Sequence, residues 1–152
     1  ADLNICHSPD AITTLGLGSC VGVALYDKNT KTAGLVHVML PDSTKVRQNQ
    51  NRAKFADTGI DYLIELLEKE GAKKSSLTAK IAGGAQMFAF SSSNDMLRVG
   101  ERNVEAVKDK LKKLGIRILA EDTGLNYGRT VEFYPETGDF IIKSVGKPVK
   151  TI

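Results

Sequence analysis

The stretch Cys20-Val21-Gly22-Val23-Ala24-Leu25-Tyr26 decides the fold when read with Ala33-Gly34-Leu35-Val36-His37-Val38-Met39-Leu40. Val21, Val23 and Leu25 alternate onto one face, and β-branched residues suit a pleated, half-buried surface. Between the two apolar runs lies Asp27-Lys28-Asn29-Thr30-Lys31-Thr32, polar and rich in turn formers. This pattern predicts a β-hairpin. Pro41 closes its second strand, because proline cannot donate to a ladder.

Outward from the hairpin, Asp42 to Asn51 is polar without apolar period and reads as a long loop. Ala53, Ala56, Ile60, Leu63 and Leu67, widened by Ile64, recur at helical spacing, and Gly71 is a suitable stop. Leu77 to Ala82 reads as a strand running into Gly83-Gly84. Ser91-Ser92-Ser93-Asn94 marks an exposed loop. A second helix carries Val104, Val107, Leu111 and Leu114, with Asn103 as its expected N-cap and Gly115 as its end. Ile116 to Ala120, Thr130 to Tyr134 and Phe140 to Val145 complete the strands, the last two joined by a turn over Pro135-Glu136-Thr137-Gly138. Strand-rich ends around two helices and a strand make α+β the natural class. No repeat or linker divides the chain, so residues 1–152 are expected to form a single domain.

The composition narrows the function. With 41% hydrophobic residues and 14 glycines the chain is globular in character, not disordered. Aromatics are 6% and tryptophan is absent, which argues against a stacking platform for single-stranded nucleic acid. The net charge of +3 is spread along the chain. Its densest basic stretch, Lys108 to Lys113, sits in a mixed-charge helix, too weak an argument for nucleic acid. Two cysteines, Cys6 and Cys20, form no disulfide framework and no C-x-x-C, which points to a reducing, cytoplasmic compartment. No apolar run approaches a membrane span, so no direct insertion into a membrane is expected. The start at Ala1-Asp2-Leu3 has no signal-peptide pattern and no initiator Met, so the chain is expected to be trimmed.

The chemistry concentrates in Thr14-Leu15-Gly16-Leu17-Gly18-Ser19-Cys20. Gly16 and Gly18 allow close backbone approach beside the thiol. The N–H groups of Ser19 and Cys20 then stand as oxyanion donors, with Gly18 giving them room. A small buried hydrophobe is the bland alternative for Cys20. A dinucleotide fingerprint fails, since Val21 stands where G-x-G-x-x-G needs glycine and a strand follows.

His37 shifts the balance toward catalysis. In one hairpin register it lies opposite Cys20, with facing Cβ atoms about 4.5–5.5 Å apart. In another it faces Gly22 and reaches Cys20 diagonally, at about 7–8 Å. Both put thiol and imidazole on one face, and a one-residue slip would separate them. An adjacent imidazolium lowers a thiol pKa by several units, and the imidazole then serves as acid and base. A third group should orient the histidine; spacing does not choose between Thr13 and Thr14. Cys6-His7 points its side chains to opposite sides, and Cys6, His7, Cys20 and His37 lack zinc spacing, so no metal and no cofactor is expected. Asp122 ends a strand, as a ligand, a cap or an ordinary turn carboxylate. Met87, Phe88 and Phe90 are either core or an apolar contact for a protein partner.

These residues resemble the chemoreceptor glutamine deamidases of the CheD family. The resemblance rests on Thr-Leu-Gly-Leu-Gly-Ser-Cys-Val at 14–21 and His-Val-Met-Leu-Pro at 37–41. Ile-Ala-Gly-Gly-Ala-Gln-Met-Phe at 81–88, Gly-Glu-Arg-Asn-Val at 100–104 and Ala-Glu-Asp-Thr-Gly at 120–124 extend it. It implies hydrolysis of glutamine side chains to glutamate on the cytoplasmic domain of methyl-accepting chemotaxis receptors, with release of ammonia. It implies a sandwich of two mixed β-sheets with helices outside. By position, Cys20 would be the nucleophile, His37 the base and acid, and Thr14 the orienting residue. It also implies a CheC-type phosphatase as a binding partner. The rival readings are a docking module in which deamidation is minor, and another thiol hydrolase such as a transglutaminase or protease.

Overall fold

The computed structural model describes residues 2–45, 51–87 and 98–152. The expected Ser91–Asn94 loop, together with Phe88 and Phe90, lies outside the described residues. Nine strands and two α-helices follow in the order β1 (Asp2–His7), β2 (Ile12–Leu17), β3 (Val21–Asp27), β4 (Thr32–Val38), α1 (Ala56–Lys69), β5 (Leu77–Gly83), α2 (Val99–Leu114), β6 (Arg117–Thr123), β7 (Arg129–Tyr134), β8 (Asp139–Lys143) and β9 (Lys150–Thr151). They build a five-stranded sheet, β1-β4-β3-β5-β6, and a four-stranded sheet, β2-β7-β8-β9. The larger sheet is mixed, with β5 and β6 parallel; the smaller is antiparallel throughout. The α+β sandwich expected from the sequence is the one observed.

The alternation read in the hairpin assigns its two faces. Val21, Val23, Leu25, Val36 and Val38 meet Ile60, Leu63 and Leu67 of α1 and Val107 and Leu111 of α2 in one core. The other face carries Ala24, Ala33 and Leu35 against Leu17, Val131, Phe133, Phe140 and Ile142 of the smaller sheet. The larger sheet is therefore covered on both sides, by helices and by a second sheet. This explains why the strands of the hairpin are buried almost end to end.

Local details depart from the sequence reading. The hairpin turn is Lys28 to Lys31, and Asp27 pairs with Thr32 as its last rung. The Asp27 carboxylate sets that turn by accepting the Asn29 N–H at 2.9 Å. Ala53 belongs to a separate 3-10 turn, Arg52–Lys54, which Asn51 caps from its side chain, and α1 starts after it. Asn103 is not the N-cap of the second helix. That helix begins at Val99, and Asn103 lies inside it with no exposure to solvent. Tertiary acceptors claim its side chain, as described below. β1, β2 and β9 were not placed individually from the sequence; all three are edge strands, β2 is broken by a bulge, and β9 has two residues.

Candidate functional site

The site forms where β2, β3 and β4 end together between the two sheets. In the ladder His37 faces Gly22, and Val21 faces Val38. The diagonal register is thus the observed one, and Cys20, one step before β3, falls on the same face as His37. Both are half-buried, and Cys20 packs against the core between the sheets.

Thr14 reaches His37 from the opposite sheet. Its Oγ1 lies 3.0 Å from His37 Nδ1, and the residue is 6% exposed. Alternation from Ile12 turns Thr14 inward, and a bulge follows it. Thr14 pairs with Val131 and Leu17 with Arg129, so β2 spends one residue more than its partner. Gly16, at φ 68°, absorbs the extra residue. Leu17 also turns inward as a result, and Leu15 turns out. Thr13, the alternative left open by spacing, bonds instead to the Val131 carbonyl at 2.8 Å.

The segment between bulge and thiol is held from behind. Ala85 N–H donates to the Gly18 carbonyl at 2.9 Å, and Gly84 N–H to the Cys20 carbonyl at 2.8 Å. Asn103 Nδ2 donates to the Ser19 carbonyl at 3.0 Å and to the Met39 carbonyl at 3.0 Å. Three consecutive carbonyls are therefore fixed on one side. In a trans peptide the N–H points opposite to the preceding carbonyl. The N–H groups of Ser19 and Cys20 are thereby turned away from these contacts, and they have no acceptor among the described residues. The close fit depends on Gly83, at φ 108°, where a Cβ would stand 2.3 Å from the Cys20 oxygen.

The electrostatics differ from the sequence expectation. Burial pushes the Cys20 thiol above its ordinary value and pulls the His37 imidazole below its own. Asp2, the ladder partner of His37 on β1, acts the other way and does not prevail. No hydrogen bond joins Cys20 Sγ to His37. Both shifts favour the neutral forms, thiol and imidazole, over the thiolate–imidazolium pair that sequence proximity suggests. Such an imidazole is free to accept a proton at neutral pH.

The remaining predicted residues take distinct places. Met87 is 47% exposed, and a Cβ built on Gly18 would lie 3.3 Å from its Cγ, so it borders the site. Asp122 is neither an ordinary turn carboxylate nor a free ligand. Its Oδ2 accepts from Arg129 Nε at 3.1 Å and its Oδ1 from Lys150 Nζ at 3.2 Å. Arg129 belongs to the smaller sheet and is 2% exposed, so this ion pair joins the sheets. Asp122 lies in the ladder row of His37, Gly22 and Ala82, on the far side of Gly22 from the histidine. Among the described residues no three His, Cys, Asp or Glu side chains converge as metal ligands, and no helix is long and apolar enough to cross a membrane. Sequence reasoning missed Asn103 in its bridging role and the Gly83-Gly84-Ala85 strap. A helical asparagine with no cap to make was the one available signal.

Comparison with known proteins gives the same family as the motifs. The family model described as CheD chemotactic sensory transduction matches residues 39–144. A protein of Lachnoclostridium phytofermentans named probable chemoreceptor glutamine deamidase CheD is 70% identical over 152 residues, covering 100% of this chain and 94% of its own length. Proteins named chemoreceptor glutamine deamidase CheD in Halalkalibacterium halodurans and Bacillus subtilis are 58% and 51% identical, covering 100% of this chain and 94% and 92% of their own lengths. With full-length similarity at this level, and a thiol, an imidazole and a threonine gathered at the sandwich end, the chain belongs to the CheD family.

Proposed function

We propose that this chain hydrolyses the side-chain carboxamide of glutamine residues on chemoreceptors to glutamate and releases ammonia. The reading is supported by the activity for which its relatives are named. The observation that carries it is the placement of Cys20 and His37 on one face, with Thr14 on the histidine and the Ser19 and Cys20 N–H groups unclaimed nearby.

The steps follow from those groups. His37 takes the thiol proton as Cys20 Sγ attacks the carboxamide carbon, so thiolate forms only as it is used. The developing oxyanion is met by the N–H groups of Ser19 and Cys20. His37 returns its proton to the nitrogen, the C–N bond breaks, and ammonia leaves a thioester. Water, deprotonated by the same imidazole, attacks the thioester. Cys20 leaves and is reprotonated, and glutamate is the product. Thr14 holds Nδ1 so that Nε2 does the proton transfer.

The chain would act on the cytoplasmic side of the receptors. A CheC-type phosphatase is the second partner we propose, docking beside the site. Exposed Met87 against Gly18 supports that location, and Phe88 and Phe90 follow it in sequence.

The test incubates the purified chain with a cytoplasmic receptor fragment and follows ammonia release together with peptide mass spectrometry. Conversion of glutamine to glutamate by the wild type and none by Cys20→Ala is the expected result. Equal conversion by Cys20→Ala would sink the thiol mechanism. A crosslinked product or a cut backbone would replace deamidation with transglutaminase or protease chemistry.

A further inference from the structure

One buried side chain outside the thiol, imidazole and threonine touches both halves of the site. Asn103 lies within α2 with no solvent exposure. Its Nδ2 donates at 3.0 Å to the carbonyl of Ser19, next to the nucleophile, and at 3.0 Å to that of Met39, two residues beyond His37. Two carbonyl acceptors fix which end of the amide faces them. Its Oδ1 is buried with no partner. An unpaired buried acceptor is a cost that an apolar residue of the same size would avoid. The carboxamide thus serves its two donor contacts at the expense of the oxygen.

We propose that Asn103 is a positioning residue for the oxyanion donors. The Ser19 carbonyl and the Cys20 N–H belong to one planar peptide unit, so holding the oxygen from behind aims the N–H forward. The second bond ties that unit to the end of the strand that carries His37. One side chain therefore sets the donor and the base in a common frame. The inference rests on the deamidase reading for its catalytic consequence, and on the contacts alone for its geometry.

The test compares wild type with Asn103→Leu, which keeps the branching at Cγ and removes both donors, and Asn103→Ser, which keeps one. Deamidation kinetics are read beside the rate of Cys20 alkylation by iodoacetamide in a Cys6→Ser background. Alkylation passes through no tetrahedral oxyanion, so it reports the thiol and not the donors. In Asn103→Leu kcat should fall about 10- to 100-fold, with KM and alkylation unchanged, and Asn103→Ser should lie between. Parallel loss of alkylation and kcat, or an unchanged kcat in a folded variant, would overturn the proposal. If Asn103→Leu does not fold, Asn103→Ser decides by the same comparison. If the wild type itself releases no ammonia, the deamidase reading fails separately. The Cys20 amide resonance in Asn103→Ser then decides the positioning role, a shifted signal sustaining it and an unmoved one refuting it.

Discussion

Thr14 Oγ1 sits 3.0 Å from His37 Nδ1, and the two residues belong to different sheets. The imidazole is therefore oriented across the sandwich, not from its own strand. Removing the hydroxyl loses this bond, and a net hydrogen bond is worth about 1 kcal/mol. Thr14→Ala should lower kcat roughly fivefold, since about 1.4 kcal/mol is a factor of ten. Thr14→Ser, which keeps the hydroxyl, should restore most of it. Equal loss in both variants in a deamidation assay would assign the effect to packing.

The thiol should behave as a protonated one at neutral pH. Burial raises the Cys20 pKa, and no imidazolium opposes this. Alkylation of Cys20 in a Cys6→Ser background should climb with pH, with its midpoint above the ordinary value of about 8.5. A midpoint below 7 would mean a preformed thiolate pair.

The same shifts set opposite edges to pH stability. The folded His37 binds a proton less readily than the unfolded one, so its contribution is complete above about pH 6.5 and is lost as pH falls through the folded value. The folded Cys20 releases its proton less readily, so its contribution is complete below about pH 8.5 and is lost as pH rises through the folded value. Melting temperatures measured from pH 5 to 10 should decline less on the acid side in His37→Gln than in wild type. On the alkaline side they should decline less in Cys20→Ser.

Arg129 is buried, and the Asp122 carboxylate is the charge that faces it. Breaking a buried pair from one side leaves an uncompensated ion and costs about 3–5 kcal/mol. Asp122→Ala should lower Tm by about 10 °C, given about 2–4 °C per kcal/mol for chains of this size. A change within experimental error in calorimetry would show that Lys150 and Arg129 need no carboxylate there.

Gly83 meets the carbonyl of Cys20. A methyl at that position would overlap the Cys20 oxygen at 2.3 Å, on a backbone with φ 108°. Gly83→Ala should destabilise by about 1–3 kcal/mol and reduce deamidation more than Tm loss explains, because the displaced atom adjoins the thiol. Denaturant unfolding beside the activity assay separates the two effects.

The hairpin, both helices and the β5 to β8 strands were legible because their apolar periods are local. Cys20 and His37 were legible for the same reason: strand pairing across one short turn limits where each can lie. Two of the three candidate registers put them on one face, and the choice was settled only in the ladder, where Asp27 pairs with Thr32 and His37 faces Gly22.

What the sequence by itself determined was the class of fold, Cys20 and His37 as the candidate pair, and, through its ordered motifs, the family. Tertiary structure alone decided the rest. Thr14 and Thr13 are equivalent in the chain and diverge because the pairing of β2 with β7 decides which of two alternating residues faces His37 across the sandwich. Asn103 resembles a cap in the chain and becomes a bridge because two carbonyls, from Ser19 and Met39, converge on its helix. Burial between the sheets favours the neutral forms of Cys20 and His37, because desolvation outweighs their proximity. Each of these depends on contacts distant in sequence, which no local period encodes.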